Sequence, residues 1–153
     1  MSLKGSQFRY LFRSAERSAM KELSRLLEPL GITPNQGEVI VVLGKHAPLS
    51  LKGLGNLLIC EEKSPSRLVQ SLIKKGLITK ERSANDGRSS LLSLTTAGQE
   101  LLPKVEECES AFDQKLEKQY PEIEMLTQSL KAYITGSSYE EKLKRRSLWD
   151  EKE

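Results

Sequence analysis

Apolar residues recur at helical spacing through the first thirty positions, at Phe8, Leu11, Phe12, Ala15, Ala19, Leu23, Leu26, Leu27 and Leu30. This period predicts a long amphipathic helix that ends before Gly31. Thr33, Pro34 and Gln36 then spell a helix start, with a capping hydroxyl, a proline at the first helical position and a capping-box glutamine. Val39, Ile40, Val42 and Leu43 supply the buried face of that second helix. Ser50 is placed to cap a short third helix whose Leu54, Leu57 and Leu58 point inward. Gly53 and Gly55 each weaken it by about 1 kcal/mol relative to alanine, so packing must hold it.

The run SPSRLVQSLIKKG sets Leu68, Val69, Leu72 and Ile73 on one helix face, and Ser64, Ser66, Arg67, Gln70, Ser71 and Lys74 on the other. Gly76 stands where a helix C-cap belongs. The period then shortens: Leu77, Ile78 and Thr79 open one strand and Leu91, Leu92 and Leu94 lie in another. Asn85, Asp86 and Gly87 between them are turn residues, which predicts a β-hairpin. After a cap at Thr95 or Thr96, a long helix carries Leu101, Leu102, Val105, Cys108, Phe112 and Leu116. Pro103 should bend it and Pro121 should stop it. Ile123, Leu126, Leu130 and Ile134 mark another helix ending near Gly136, and the tail 137–153 reads either as a last turn or two around Leu143 and Trp149 or as frayed chain.

Two helices joined by a tight turn and followed at once by a hairpin make a winged helix-turn-helix. The expected fold is therefore mainly α with a small β-hairpin wing. Its expected parts are an N-terminal dimerisation helix at 1–30, a winged lobe at 31–98 and C-terminal dimerisation helices at 99–153. Charge distribution fits that division better than the overall balance of +3 does. Between Lys63 and Arg88, seven bases (Lys63, Arg67, Lys74, Lys75, Lys80, Arg82 and Arg88) face two acids, Glu81 and Asp86. That polarity is expected of a surface that meets phosphate. Beyond it the sign reverses, with Glu100, Glu106, Glu107, Glu109, Asp113, Glu117, Glu122 and Glu124 outnumbering Lys104, Lys115 and Lys118.

The expected partner is double-stranded DNA, because a helix fits the major groove while phosphate contacts fix its register. On the fourth helix Arg67 offers a fork for guanine edges and Gln70 an amide for adenine, with Ser64 and Ser66 beside them. Lys80, Arg82 and Arg88 sit on or beside the hairpin turn, where a ribbon enters a groove.

These residues resemble the MarR family (multiple antibiotic resistance regulators) of dimeric winged-helix transcription factors. The matching stretches are GITPNQGEVIVVLGKHAPLS, SRLVQSLIKKGLI and NDGRSSLLSLTTAG, about half of the chain. The last is the most specific, with Asp86-x-Arg88 followed by Leu94, Thr95 and Gly98. The resemblance implies that Arg88 enters the minor groove, that Asp86 holds the wing, and that Ser64, Ser66, Arg67 and Gln70 face the major groove. Ser50 and Lys52 are implied to approach phosphate. It further implies a homodimer made by the terminal helices, a pseudo-palindromic operator, and a small-molecule effector bound where the first, second and fifth helices meet. Two features depart from the family pattern: Gly53 and Gly55 in the third helix, and the acids Glu61 and Glu62 near the phosphate path, which read either as charges suited to a helix N-terminus or as a device that tunes specificity against DNA.

The function expected is a homodimeric, sequence-specific transcriptional regulator, a repressor responsive to a small molecule. The alternatives are a winged-helix protein-interaction module without sequence-specific DNA binding, and a cysteine-based oxidant-sensing regulator. Against the latter, Cys108 falls on an apolar stripe, and the acids after Cys60 disfavour a thiolate there. No catalytic constellation is legible: His46, the only histidine, falls in an expected surface loop, and no Gly-rich phosphate loop or nucleophile motif occurs. Two cysteines without CxxC spacing signal neither disulfide nor zinc, so no metal or cofactor is expected. No apolar run approaches the roughly 18 residues of a membrane span. The N-terminus lacks a signal-peptide core, and a cytoplasmic location is expected.

Overall fold

The structure, a computed structural model, describes residues 3–60, 64–84 and 89–150. Helix α1 (Leu3–Leu27) passes through a 3₁₀ turn (Glu28–Leu30) into α2 (Pro34–His46) and the short α3 (Leu51–Gly55). Helix α4 (Ser66–Lys74) leads into the hairpin β1 (Ile78–Arg82) and β2 (Ser90–Leu94). Helices α5 (Thr96–Gln119), α6 (Ile123–Ile134) and α7 (Ser138–Arg145) follow.

The helix starts are made by the side chains that the sequence offers. Thr33 Oγ1 accepts from the Gln36 amide while Gln36 Oε1 accepts from the Thr33 amide, closing a capping box. Ser50 caps α3 by accepting from the Gly53 amide at 3.0 Å, and Thr95, not Thr96, caps α5 by accepting from the Gly98 amide. Gly76, at φ +75°, ends α4 in the left-handed region where a Cβ is costly. Helix α5 runs on through Pro103.

One core joins these elements. Leu27, Ile40, Leu43, Leu54, Leu58, Leu72, Leu92 and Val105 are fully buried in it, so the C-terminal end of α1 and the first half of α5 belong to the same packed unit as the helix-turn-helix. The hairpin pairs antiparallel, Ile78 with Leu94 and Arg82 with Ser90 at its two ends. Leu49, in the loop after α2, bonds Leu92 through both backbone groups and anchors the ribbon from the other side.

Four expectations change. Ser64 lies ahead of α4 rather than on it, because the helix starts at Ser66 after Pro65. Ser71 is not on the polar face: its hydroxyl donates to the Leu68 carbonyl and accepts from Gln36 Nε2, tying α4 to α2. Ile73 is 37% exposed, since Val69 and Leu72 already fill the contact with α2. His46 is the last residue of α2 and partly buried rather than in a solvated loop.

Candidate nucleic-acid interface

The basic surface is assembled from three elements. The first turn of α3 presents Ser50 and Lys52, β1 presents Lys80, and these line one cleft of about 310 Å³ together with Ser89 and Ser90. Val69 on α4 forms part of its wall. On α4, Arg67 and Gln70 are exposed and Ser66 is half-buried, with its hydroxyl 3.1 Å from that of Ser64. Arg82 is exposed at the far end of β1. Among the described residues, Lys52, Arg67, Lys80 and Arg82 have no acidic partner within ion-pair distance. A cation without an acidic partner is free to meet phosphate without first breaking a salt bridge. Asp86 and Arg88 lie outside the described residues, as do Glu61, Glu62 and Lys63.

The base of the wing shows what Thr95 and Gly98 do physically. Thr95 Oγ1 donates to the Gly76 carbonyl at 2.6 Å, and its amide donates to the Leu77 carbonyl at 3.0 Å. One residue thus joins the exit of α4, the end of β2 and the start of α5. A Cβ on Gly98 would stand 2.2 Å from the Leu77 carbonyl oxygen, so only glycine lets α5 approach this closely.

Behind this surface lies a second polar cluster that sequence reasoning missed. Glu38 on α2 accepts from the backbone amides of Ile59 and Cys60 at 3.0 and 2.9 Å, and pairs with Arg146 just past α7. Burial alone raises the Glu38 pKa, but the Cys60 thiol, those two amides and Arg146 together hold it below 4.5. Lys142, only 7% exposed, donates to the carbonyls of Gly55 at 3.1 Å and Leu58 at 2.6 Å. The available signal was the spacing of Tyr139, Lys142 and Arg146, which share one face of a helix. Within the tail, Ser138–Arg145 therefore form a helix seated on the lobe, its end closed by Ser147 at φ +56°.

A cleft of about 500 Å³ opens between α2, α5 and the segment after α7. Its walls include Val42, His46, Glu109, Asp113, Arg146 and Leu148. Glu109 is pushed up to about 7, first by burial and then by the charge of Asp113. Asp113 is itself raised by burial and by Glu117. His46 Nε2 is buried and has no hydrogen-bond partner among the described residues. As for the cysteines, the Cys60 thiol is bonded to the Glu38 carboxylate, and the Cys108 thiol donates to the Leu26 carbonyl at 3.5 Å.

The arms carry the opposite chemistry. Phe8, Leu11 and Phe12 on α1 face Leu126, Leu130 and Tyr133 on α6 across an apolar groove of about 790 Å³. Phe8 is 66% and Tyr133 88% exposed. No described helix is long and apolar enough to cross a membrane.

Residues 30–89, which span α2 through most of the wing, match the model of the MarR family. That match takes in 60 of the 153 residues, less than half of the chain. Among curated relatives, the organic hydroperoxide resistance transcriptional regulator of Bacillus subtilis is 32% identical over 93 residues. That match takes in 61% of this chain and 63% of the relative, less than two thirds of its length. The MepR–DNA complex of S. aureus superposes with a TM-score of 0.76 at 25% identity, over 84% of this chain and 96% of MepR. A putative MarR-like regulator from Bacillus cereus reaches a TM-score of 0.77 at 22% identity, over 88% of this chain and all of the other, and establishes the shared fold.

Proposed function

We propose that this chain is a MarR-family regulator, a homodimeric, sequence-specific DNA-binding transcription factor. The observation that carries this reading is the set of cations that have no acidic partner among the described residues, Lys52, Lys80, Arg67 and Arg82, spread over α3, β1 and α4 of a winged lobe. Similarity to the DNA-bound MepR supports it. In this reading Arg67, Gln70, Ser66 and Ser64 read the major groove, Ser50 and Lys52 hold phosphate, and Lys80, Arg82, Asp86 and Arg88 form the wing. Residues 31–98 contact DNA, while 1–30 and 99–153 supply the dimer, covering the apolar faces of α1 and α6 with a second copy. Two recognition helices then match two half-sites of a pseudo-palindromic operator about one helical turn apart.

The test is selection of duplexes from a random pool by the full chain, followed by titration at rising salt. An enriched inverted repeat, bound with an affinity that falls steeply with salt, is expected. Arg88→Ala should reduce the salt slope by about one, and Arg67→Ala should cost about 1–3 kcal/mol and relax sequence preference. Absence of any enriched sequence, or binding indifferent to salt, would remove the DNA-binding reading and favour a protein-interaction module.

The effector in this reading is a small molecule held in the cleft between α2 and α5, and its release of DNA makes the protein a repressor. The hydroperoxide-resistance relative motivates one rival, control by cysteine oxidation. The bond from the Cys60 thiol to the Glu38 carboxylate works against it, because a neighbouring negative charge disfavours the reactive thiolate. Peroxide that released DNA from the parent, but not from a Cys60→Ser, Cys108→Ser double variant, would establish the rival.

A further inference from the structure

Had α3 continued as a helix, the Ile59 amide would have donated to the Gly55 carbonyl. Instead each of these two groups is taken by a side chain. Glu38 captures the Ile59 amide, and Lys142 captures the Gly55 carbonyl along with that of Leu58. Arg146 closes the arrangement by pairing with Glu38 and donating to the Leu57 carbonyl at 3.4 Å. The chain leaving α3, residues 55–60, is thus held by a charged bracket, half of it supplied by the tail. An ammonium as buried as that of Lys142 demands such partners, since leaving it without them is costly. The same demand fixes where the two carbonyls sit.

We propose that Lys142 and Arg146 are positioning residues for DNA recognition, and that α7 sets the geometry of residues 55–60 at the exit of α3 and so the angle at which α4 meets the groove. The inference rests on the DNA-binding reading above. Lys142 is too buried to reach phosphate itself, so its contribution passes through that segment. A direct contact and a positioning role therefore separate by salt dependence.

The experiment uses the full chain and a duplex that the parent selects from a random pool, with a scrambled duplex of equal length as reference. Lys142→Met keeps the chain length and removes the donors. It should lose about tenfold in affinity for the selected duplex, equivalent to about 1.4 kcal/mol, while the scrambled duplex and both salt slopes stay as in the parent. Amide exchange at Ile59 and Cys60 should accelerate in the DNA-free protein. Arg146→Lys should retain more of the selective affinity than Arg146→Met, because it keeps a charge beside Glu38. If Lys142→Met does not fold, the Arg146 pair is read on the same axes.

A parent-like ratio of selected to scrambled affinity in the folded variants would overturn the inference while leaving the DNA-binding reading intact. A salt slope shallower by about one in Lys142→Met would also overturn it, by revealing a direct phosphate contact. A parent that binds no duplex would defeat the DNA-binding reading itself, and the positioning role with it. Unaccelerated exchange at Ile59 and Cys60 would show that the bracket does not hold that segment.

Discussion

Replacing Gly98 with alanine should destabilise the protein far more than its size suggests. The added Cβ would stand 2.2 Å from the Leu77 carbonyl oxygen and 3.2 Å from its carbon. Both are backbone atoms, so no rotamer change relieves the contact. Relief requires the first turn of α5 and the base of the hairpin to separate by about 1 Å. That same carbonyl accepts the Thr95 amide at 3.0 Å, and weakening this bond costs about 1 kcal/mol more. Together the overpacking and the lost bond amount to about 2–4 kcal/mol. Gly44→Ala is the internal control. Its Cβ also meets atoms too closely, at 2.5 Å, but they belong to the end of the flexible Leu102 side chain, which can move aside. Urea denaturation at one fixed protein concentration reads both variants, since an oligomer's stability depends on concentration. Gly98→Ala within about 0.5 kcal/mol of the parent, or no worse than Gly44→Ala, would refute the argument.

Stability should also depend on pH through Glu109. Its folded pKa of about 7 lies above the ordinary value, so the folded state holds the extra proton; the associated stability is complete below about pH 4.5 and is lost as pH rises through 7. After allowance for solvent at this partly exposed group the loss is on the order of 1 kcal/mol. Glu109→Gln should flatten that decline in a series of melting curves, and a parallel decline would assign it elsewhere. Glu38 works in the opposite sense: held below 4.5, it contributes above that pH, and its contribution is lost on acidification through its lowered value. Ser147→Gly should stabilise α7 by up to about 1 kcal/mol, because glycine adopts its positive φ without penalty; a lower melting temperature would contradict this. Leu130→Glu, which sets a charge in the apolar groove between α1 and α6, should shift sedimentation from the proposed dimer toward monomer, and an unchanged mass would rule this groove out as a dimer interface.

The helices and hairpin were legible because their signals are local. Thr33, Pro34 and Gln36 announce α2 through contacts within a single turn, and the alternation around Leu92 and Leu94 marks β2 without reference to the rest of the chain. The basic positions on α3, α4 and β1 were equally legible as exposed polar residues within amphipathic patterns. What stayed hidden depends on distant partners. Ser71 looks like any polar helix residue until Gln36, 35 positions away, is placed beside it. Lys142 reads as part of a charged tail, and only the carbonyls left free at the end of α3 give it a buried role. His46 was misplaced because α2 continues to it, beyond the last strongly apolar position.

Because Thr95 is common to α4's exit, the wing and α5, while Leu49 holds Leu92 through both backbone groups, the ribbon is clamped at two points along β2. Beyond the second clamp, two residues at about 3.4 Å each leave a lever of only about 7 Å from Leu92 to Ser90. A tilt of about 10° there carries its far end about 1 Å, well short of the length of a hydrogen bond. A reorientation of α5, the helix that leads onward to the apolar arms, would therefore carry the ribbon and the loop after α2 together rather than swing the strand ends alone.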